Sequence, residues 1–176
     1  MKAKQNGNSV IVSEINDFNP VHTFECGQCF RWDREPDGSY TGVAFSKPVN
    51  ISCTGDEIVI KNISLDEYNC QWKNYLDFNT DYNLIKNELS TDNVVRKAMN
   101  FGWGIKILNQ DIFECLISFI ISTQNSIPRI KKIVSKLSEM YGGKTTFESK
   151  NFYSFPTPNE LNGISAADLA PLRAGY

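Results

Sequence analysis

One short polar segment carries the residues with the clearest potential for chemistry. Residues Ser122–Ser126 include Gln124 and Asn125, and Arg129 follows about one helical turn later. Side-chain amides between two helices can offer donors and acceptors to a base edge, and an arginine can reach a base or a phosphate. Taken alone, these residues are more often an ordinary polar turn between helices, so the segment is only a candidate nucleic-acid contact.

The distribution of charge along the chain weakly supports this candidate. The whole chain has a formal net charge of −2 and a pI of about 5.5, which disfavours a nucleic-acid partner. Residues 1–100 carry a net charge of −4, however, and residues 101–176 a net charge of +2. The asymmetry indicates a polyanion as partner, although a basic helix face exposed to solvent is the commoner explanation. One stretch without acidic residues contains four basic ones: Arg129, Lys131, Lys132 and Lys136.

The five cysteines suggest an alternative chemistry. Cys26 and Cys29 form a Cys-x-x-Cys pair, whereas Cys53 and Cys70 stand singly and His22 is the only histidine. A zinc site would need a second pair of ligands, and a thioredoxin-like pair would open a helix after a strand. Because Cys29 leads directly into a predicted strand, we interpret the cysteines as structural thiols and keep a redox or zinc module as an alternative.

Length and composition are those of an ordinary globular chain. The 176 residues are 41% hydrophobic and 22% charged, which suffices for one large domain or two small ones. The longest apolar run, Cys115–Ile121, is far shorter than the roughly 18 residues of a transmembrane helix. The N-terminus lacks the apolar region of a signal peptide, so we expect a cytoplasmic protein.

The first sixty residues favour antiparallel strands. Two pairs of apolar runs flank short turns, one with the sequence Pro-Asp-Gly and one with Gly-Asp. Strands joined by such short turns pair antiparallel. Strands are predicted over Val10–Ile15, Cys29–Trp32, Tyr40–Phe45, Val49–Thr54 and Glu57–Lys61.

Helix signals follow in the rest of the chain. Cys115–Ile121 is apolar on every side, which predicts a helix buried all round. In the next helix an apolar stripe is predicted from Ile127, Ile130, Val134 and Leu137. Helices are predicted from Ser64 to about Asp77, over Tyr82–Leu89, from Thr91 to about Phe101, from Asp111 to Ile121, and after Ser126, Thr157 and Ser165.

These signals divide the chain near residue 105. Residues 1–105 predict a domain with an antiparallel sheet and helices, and residues 106–176 predict an all-α region. The predicted fold class is therefore α+β. No Gly-, Ser- or Pro-rich linker separates the two parts, so we expect them to pack together.

Five segments, in order along the chain, resemble segments of the 8-oxoguanine DNA glycosylases. They are Gly27–Trp32 (Gly-Gln-Cys-Phe-Arg-Trp), Tyr75–Tyr82, Asp111–Arg129, Phe155–Pro156 and Leu172–Tyr176. The resemblance implies an N-terminal antiparallel sheet like that of the TATA-binding protein. It also implies an all-α domain with a helix-hairpin-helix after the sheet, in agreement with the boundary near residue 105.

The resemblance implies a base-excision repair enzyme, a DNA glycosylase/AP lyase that removes 8-oxoguanine from double-stranded DNA. Such an enzyme flips the damaged nucleotide out of the duplex before it cleaves the glycosidic bond. The implied partner is double-stranded DNA with 8-oxoguanine opposite cytosine. We expect a monomer without cofactor, metal or membrane contact, associated with the nucleoid if the source is bacterial.

Gly27 is matched with the family's glycine whose carbonyl accepts a hydrogen bond from the N7–H of the lesion. Guanine N7 is an acceptor, whereas N7 of 8-oxoguanine carries a proton. A fixed carbonyl therefore attracts the lesion and repels the normal base. Glycine suits this position because the backbone must approach the base closely.

The resemblance also implies roles for residues near the base opposite the lesion. Gln124 and Asn125 are matched with amides that fill the vacated hole and contact the estranged cytosine. Arg129 is matched with an arginine that reads this cytosine, and Tyr176 with a tyrosine that wedges beside the lesion's base pair.

The family's nucleophilic lysine and its partner aspartate match no residue of this sequence. In the family they belong to a hairpin that would follow Tyr176, and the lysine forms a Schiff base with the sugar. We therefore expect no catalytic residue within these 176 residues and no cleavage of DNA by them alone. Two alternatives stay open, an alkylated-base glycosylase of the same superfamily and the Cys26/Cys29 thiol or zinc module.

Overall fold

A computed structural model describes residues 1–175 of the chain. The strands are β1 (Lys2–Asn6), β2 (Ser9–Ser13), β3 (Trp32–Arg34), β4 (Tyr40–Ala44), β5 (Lys47–Thr54), β6 (Glu57–Lys61), β7 (Lys144–Phe147) and β8 (Lys150–Tyr153). The α-helices are α1 (Pro20–Phe24), α2 (Leu65–Glu67), α3 (Lys73–Tyr75), α4 (Tyr82–Leu89), α5 (Asn93–Phe101), α6 (Ile112–Ser122), α7 (Ile127–Tyr141) and α8 (Ala166–Leu169). A π-helical turn, Tyr68–Trp72, joins α2 to α3, and a 3-10 turn, Ala170–Leu172, follows α8.

Six strands form one antiparallel sheet in the order β1-β2-β6-β5-β4-β3. Its register pairs Val10 with Ile60 and Val12 with Ile58, and all four side chains are buried. Residues two apart in a strand point to the same face, so these β-branched side chains form one apolar face. The sheet and the helices together confirm the predicted α+β class.

The predicted turns and most predicted strands are present. The Pro-Asp-Gly turn joins β3 to β4, the Gly-Asp turn joins β5 to β6, and β6 has the predicted limits. The strand predicted from Cys29 is wrong at its start, because residues 29–31 are irregular and pairing begins at Trp32. The sequence signals miss β1 and the β7–β8 hairpin, whose largely polar residues show little apolar alternation.

Capping residues define the helix starts. Ser64 and Ser165, after which helices are predicted, form capping boxes at the starts of α2 and α8. Asp92, rather than the predicted Thr91, caps α5, because its carboxylate accepts hydrogen bonds from two amides of the first turn. The helix predicted after Thr157 is wrong, since the chain forms only turns over residues 158–163.

The burial of α6 differs from the prediction. Leu116, Phe119 and Ile120 are 52%, 74% and 45% exposed, so the expected helix buried all round is wrong. Ser118 and Ile121 are the buried residues of α6. Within the described residues one apolar face of α6 is therefore open to solvent. None of the helices in residues 1–175 is long and apolar enough to cross a membrane.

The apolar stripe of α7 is largely as predicted. Ile130, Val134 and Leu137 are buried in one cluster, together with Ile133. Ile127, which was predicted to belong to the stripe, is 47% exposed. It lies at the first position of the helix, and the buried face is widened by Ile133 instead.

The chain divides into two compact units. Unit 1 comprises residues 1–28 and 51–109, and unit 2 comprises residues 29–50 and the chain from residue 110 onward. This division into compact units does not test the predicted domain boundary near residue 105, which stays a prediction. The predicted helix-hairpin-helix also stays a prediction.

Candidate nucleic-acid interface

Gly27 lies in a bend of unit 1, directly after α1. Its φ angle is +90°, a region that L-residues rarely adopt and that glycine adopts without steric cost. The residue is half-buried, so its backbone is partly accessible. The backbone conformation gives a physical reason for glycine at this position.

Helix α1 leads the chain into this bend. Asn19 caps the helix, since its side chain accepts a hydrogen bond from the His22 amide at 3.1 Å, and Pro20 occupies the first turn. The helix ends at Phe24, and the amide of the next residue, Glu25, donates to the Val21 carbonyl at 2.9 Å. The bend that contains Gly27 therefore begins at a well-defined helix end.

The Gln28 side chain joins this bend to a distant segment of unit 1. Its Nε2 donates to the carbonyls of Thr23 and Lys106, both at 2.8 Å. Its Oε1 accepts a hydrogen bond from the Leu108 amide at 3.0 Å. One side-chain amide thus bonds three backbone groups, one before the bend and two in the distant segment that contains Lys106.

The segment around Lys106 is itself anchored. The Lys106 ammonium lies 3.7 Å from an Asp17 oxygen and 3.7 Å from the centre of the Tyr82 ring, and the residue is 5% exposed. Burial lowers the pKa of Lys106, and Asp17 opposes this effect. The Tyr82 hydroxyl accepts from the Ile107 amide at 2.8 Å and donates to Asp77 at 2.6 Å. Burial and the bond to Asp77 raise the pKa of Tyr82 to about 12.

In unit 2, the polar loop between α6 and α7 presents Gln124 to solvent. Gln124 is exposed and has a φ of +59°, an uncommon conformation for a residue other than glycine. Such local strain often accompanies functional positions. The exposed amide is accessible to a ligand, as the sequence prediction requires.

Asn125 differs from Gln124 because its side chain is bonded within the protein. Its Nδ2 donates to the carbonyls of Ile121 at 2.8 Å and Ala174 at 3.0 Å. These bonds tie the end of α6 to the last described residues. In this structure the Asn125 amino group therefore shapes the loop.

Arg129 is exposed and lies near the same C-terminal segment. Its guanidinium donates to the Arg173 carbonyl at 2.9 Å, and it lies 3.4 Å from the ideal Cβ position of Gly175. Unit 2 thus brings Asn125, Arg129 and residues 173–175 together. The wedge predicted at Tyr176 lies outside the described residues.

The basic stretch of α7 does not form a single face. Arg129, Lys132 and Lys136 are exposed and spaced by three and four residues, which places them on one side of the helix. Lys131 turns away from this side. Its ammonium bonds the Trp32 carbonyl and lies 3.0 Å from the Asp33 carboxylate.

A buried ion pair in unit 2 was missed by sequence reasoning. An Arg31 nitrogen lies 3.3 Å from a Glu114 oxygen, and the side chains are 8% and 17% exposed. Arg31 also donates to the Tyr153 carbonyl. Desolvation raises the pKa of the Glu114 carboxyl, and the charge of Arg31 opposes this shift. The sequence signal was ambiguous, because Glu114 also occupies the third position after Asp111, typical of a capping box.

The cysteine alternative has little geometric support. The Cys26 side chain is exposed, whereas the Cys29 side chain is buried. The Cys26 thiol donates to the Thr23 carbonyl, at 3.5 Å between sulfur and oxygen. Among residues 1–175, no three His, Cys, Asp or Glu side chains are grouped closely enough to hold a metal ion.

The comparisons with solved structures identify the class of fold. The chain matches MBOgg1 in complex with a low-affinity DNA ligand with a TM-score of 0.97 and 44% identity, covering 99% of this chain and 61% of that one. It matches an 8-oxoguanine glycosylase/lyase of Clostridium acetobutylicum with a TM-score of 0.98 and 42% identity, covering 100% and 61%. A 3-methyladenine glycosylase of Archaeoglobus fulgidus, at 17% identity and a TM-score of 0.72, shares the fold alone. The fold is that of DNA glycosylases.

Sequence comparisons identify the family within this class. The profile described as 8-oxoguanine DNA glycosylase, N-terminal domain, matches residues 10–116, more than half of the chain. The chain therefore belongs to the 8-oxoguanine DNA glycosylase family. The N-glycosylase/DNA lyase OGG1 of Arabidopsis thaliana is 30% identical over 164 residues, which are 88% of this chain and 44% of that protein. The chain thus spans less than half the length of this curated relative.

Proposed function

We propose that this chain serves base-excision repair as the lesion-recognition part of an 8-oxoguanine DNA glycosylase/lyase. The observation that carries this proposal is the match over the whole chain to the Clostridium acetobutylicum enzyme. That enzyme was solved with double-stranded DNA containing cytosine opposite 8-oxoguanine. The proposed partner is therefore duplex DNA with the same lesion pair.

In this proposal Gly27 distinguishes the lesion from guanine. Its carbonyl accepts a hydrogen bond from the N7–H of 8-oxoguanine and faces a lone pair on the N7 of guanine. The positive φ of Gly27 and the partial exposure of the bend support the role, because a backbone carbonyl can approach a flipped base there.

Residues of unit 2 are proposed to act at the opposite base. The exposure of Gln124 supports a contact with the hole left by the flipped nucleotide, and the exposure of Arg129 supports a contact with cytosine. Asn125 and Tyr176 are part of the same proposal. We assign the family's nucleophilic lysine and its aspartate to no residue of this sequence.

Binding to lesion-containing duplexes tests the proposal. We expect the chain to bind an 8-oxoguanine·cytosine duplex more tightly than a guanine·cytosine duplex of the same sequence and at the same salt concentration. Fluorescence anisotropy with labelled duplexes measures both dissociation constants. Equal affinities for the two duplexes would overturn the proposal.

A substitution at Gly27 tests its assigned role. Gly27→Ala places a Cβ on a backbone with positive φ, and we expect the preference for the lesion to fall. Gly38→Ala is the matched control, because Gly38 has a φ of +86° and lies in the turn between β3 and β4. Both changes impose about 1–2 kcal/mol of backbone strain, but only Gly27→Ala is expected to alter the preference.

A further inference from the structure

We propose that Gln28 is the positioning residue that orients the Gly27 carbonyl for lesion recognition. The inference rests on the proposed function and adds a residue to it. Gln28 neither belongs to the predicted site nor needs to touch the base. It acts through the backbone of its neighbour.

The hydrogen bonds of Gln28 carry the inference. Its Nε2 has two hydrogens, and two carbonyls, of Thr23 and Lys106, lie 2.8 Å from that nitrogen. Its Oε1 accepts from the Leu108 amide at 3.0 Å. The orientation of the amide is thereby determined, because a flipped amide would place an oxygen against two carbonyl oxygens.

Gly27 needs such a constraint. Glycine enters the positive-φ region freely and leaves it equally freely, so its own conformational preference does not hold the carbonyl in one direction. After Gly27, the side chain of Gln28 is held by its hydrogen bonds. Before Gly27, Thr23 is held in helix α1. The bend is thus held at both ends by a single amide.

The segment that receives these bonds is firmly held. The Lys106 amide donates to the Thr23 hydroxyl at 3.2 Å, and the Thr23 hydroxyl donates to the Gly104 carbonyl at 3.4 Å. Thr23 is fully buried, and Lys106 is 5% exposed. Because the partners of Gln28 are buried and bonded to each other, they offer a fixed reference for the bend.

A positioning role and a merely structural role lead to different results. Loss of structure would weaken binding to every duplex alike, since most affinity comes from phosphate contacts. Loss of carbonyl orientation removes the attraction to the N7–H of the lesion and also the repulsion of the guanine lone pair. The ratio of the two dissociation constants therefore reports on Gln28 acting through Gly27.

The test compares Gln28→Met with a matched control, Gln5→Met. Gln5 also contacts several backbone groups, since the carbonyl oxygens of Gly7, Ser9 and Ile63 lie 2.9, 3.0 and 3.2 Å from its Nε2. Gln5 lies in β1, and none of these contacts reaches the bend that contains Gly27. We expect Gln28→Met to reduce the preference for 8-oxoguanine·cytosine over guanine·cytosine about tenfold, equal to about 1.4 kcal/mol. We expect Gln5→Met to leave the preference unchanged.

A second variant keeps the test decisive if Gln28→Met does not fold, as judged by circular dichroism. Gln28→Glu retains the size of the side chain and the acceptor for the Leu108 amide but loses both donors. Gln28→Glu is also expected to reduce the preference for the 8-oxoguanine·cytosine duplex over the guanine·cytosine duplex. A folded Gln28 variant with the same preference as the unmodified chain would overturn the inference about Gln28 and leave the proposed function standing. An unmodified chain without preference would overturn the proposed function, and the inference with it.

Discussion

At the scale of single residues, polar side chains that sequence reasoning assigns to DNA also hold the protein's own backbone. The amino group of Asn125 bonds the carbonyls of Ile121 and Ala174, and Arg129 bonds the carbonyl of Arg173. A side chain with several donors can shape a loop and still meet a ligand. Substitutions at these positions therefore test recognition only when compared across different duplexes.

Arg129 is expected to set the choice of the base opposite the lesion. Arg129→Ala removes an exposed guanidinium that can donate to two acceptors of one base. The preference for 8-oxoguanine·cytosine over 8-oxoguanine·adenine should fall by about 1–3 kcal/mol, as measured by anisotropy. Lys136→Ala, on the same face of α7, is the control and should weaken both complexes equally. An unchanged preference in Arg129→Ala would remove the residue from the site.

The buried Glu114 is expected to make stability depend on pH. Its pKa is raised by burial in the folded chain, so the folded chain binds this proton more readily than the unfolded chain. Binding of this proton stabilises the folded chain fully below the usual pKa of 4.5, and the stabilisation is lost as the pH rises through the pKa of Glu114 in the folded chain. As the pH rises from about 4 to about 7, the free energy of unfolding of the unmodified chain should therefore fall relative to that of Glu114→Gln, whose residue 114 has no carboxyl proton to lose.

Urea denaturation at the two pH values measures this effect. Glu139→Gln removes an exposed carboxylate and should change the free energy of unfolding by less than about 1 kcal/mol at both. Arg31→Met should be strongly destabilising at neutral pH, by about 3–5 kcal/mol, because it leaves the Glu114 carboxylate buried without its cation. A difference in free energy of unfolding between Glu114→Gln and the unmodified chain that is the same at both pH values would contradict the prediction.

At the scale of elements, α6 and α7 show how the surroundings decide what a helix buries. α7 buries one stripe in a cluster with Ile121. α6 instead exposes Leu116 and Phe119, although apolar residues lie on every side of its segment Cys115–Ile121. An apolar groove of about 610 Å³ lies in unit 2 and is lined by Ile117, Ile120, Leu161, Leu172 and neighbouring residues. The periodicity of apolar residues indicates which faces of a helix can be buried, but it does not show which of these faces are buried in the folded chain.

The connection from α7 to the β7–β8 hairpin depends on a close backbone approach. A Cβ at Gly142 would lie 1.8 Å from the Ser154 carbonyl oxygen, whereas one at Gly143 would lie 3.3 Å from the Ser154 hydroxyl. Gly142→Ala should therefore lower the free energy of unfolding by about 1–3 kcal/mol through forced displacement of the strand end. Gly143→Ala, the matched control, should have a smaller effect in the same urea titration. Equal effects would refute the close-approach argument.

At the scale of the whole molecule, the net charge conceals an uneven distribution. The chain is acidic overall, yet α7 exposes Arg129, Lys132 and Lys136 on one side. Counterion release makes such a stripe effective on DNA even when the whole protein is acidic. The acidic average charge is therefore compatible with the proposed DNA partner.

Lys132 is expected to contribute affinity without sequence or lesion preference. Lys132→Ala should weaken binding to all duplexes alike and reduce the slope of log K against log salt concentration by about 1. Anisotropy over a series of salt concentrations measures the slope. Lys4→Ala, an exposed lysine of β1, is the control and should leave the slope unchanged. A change in lesion preference with Lys132→Ala would contradict the assignment.

Much of the fold could be predicted because its signals are local. The limits of β6 and α4 and the capping boxes of Ser64 and Ser165 follow from residues within a few positions of each other. β1 could not be predicted in this way. It is a largely polar edge strand whose partner, β2, supplies the apolar residues.

The candidate site divides along the same line. The sequence by itself determined the family resemblance, the match of Gly27 to a glycine of the family and the polar loop that contains Gln124. Only the tertiary structure decided that Gln28 bonds Lys106 and Leu108, and that Arg31 pairs with Glu114. These partners lie 78 to 83 residues apart in the chain. No local pattern encodes such contacts, because they exist only after distant segments have packed and excluded water.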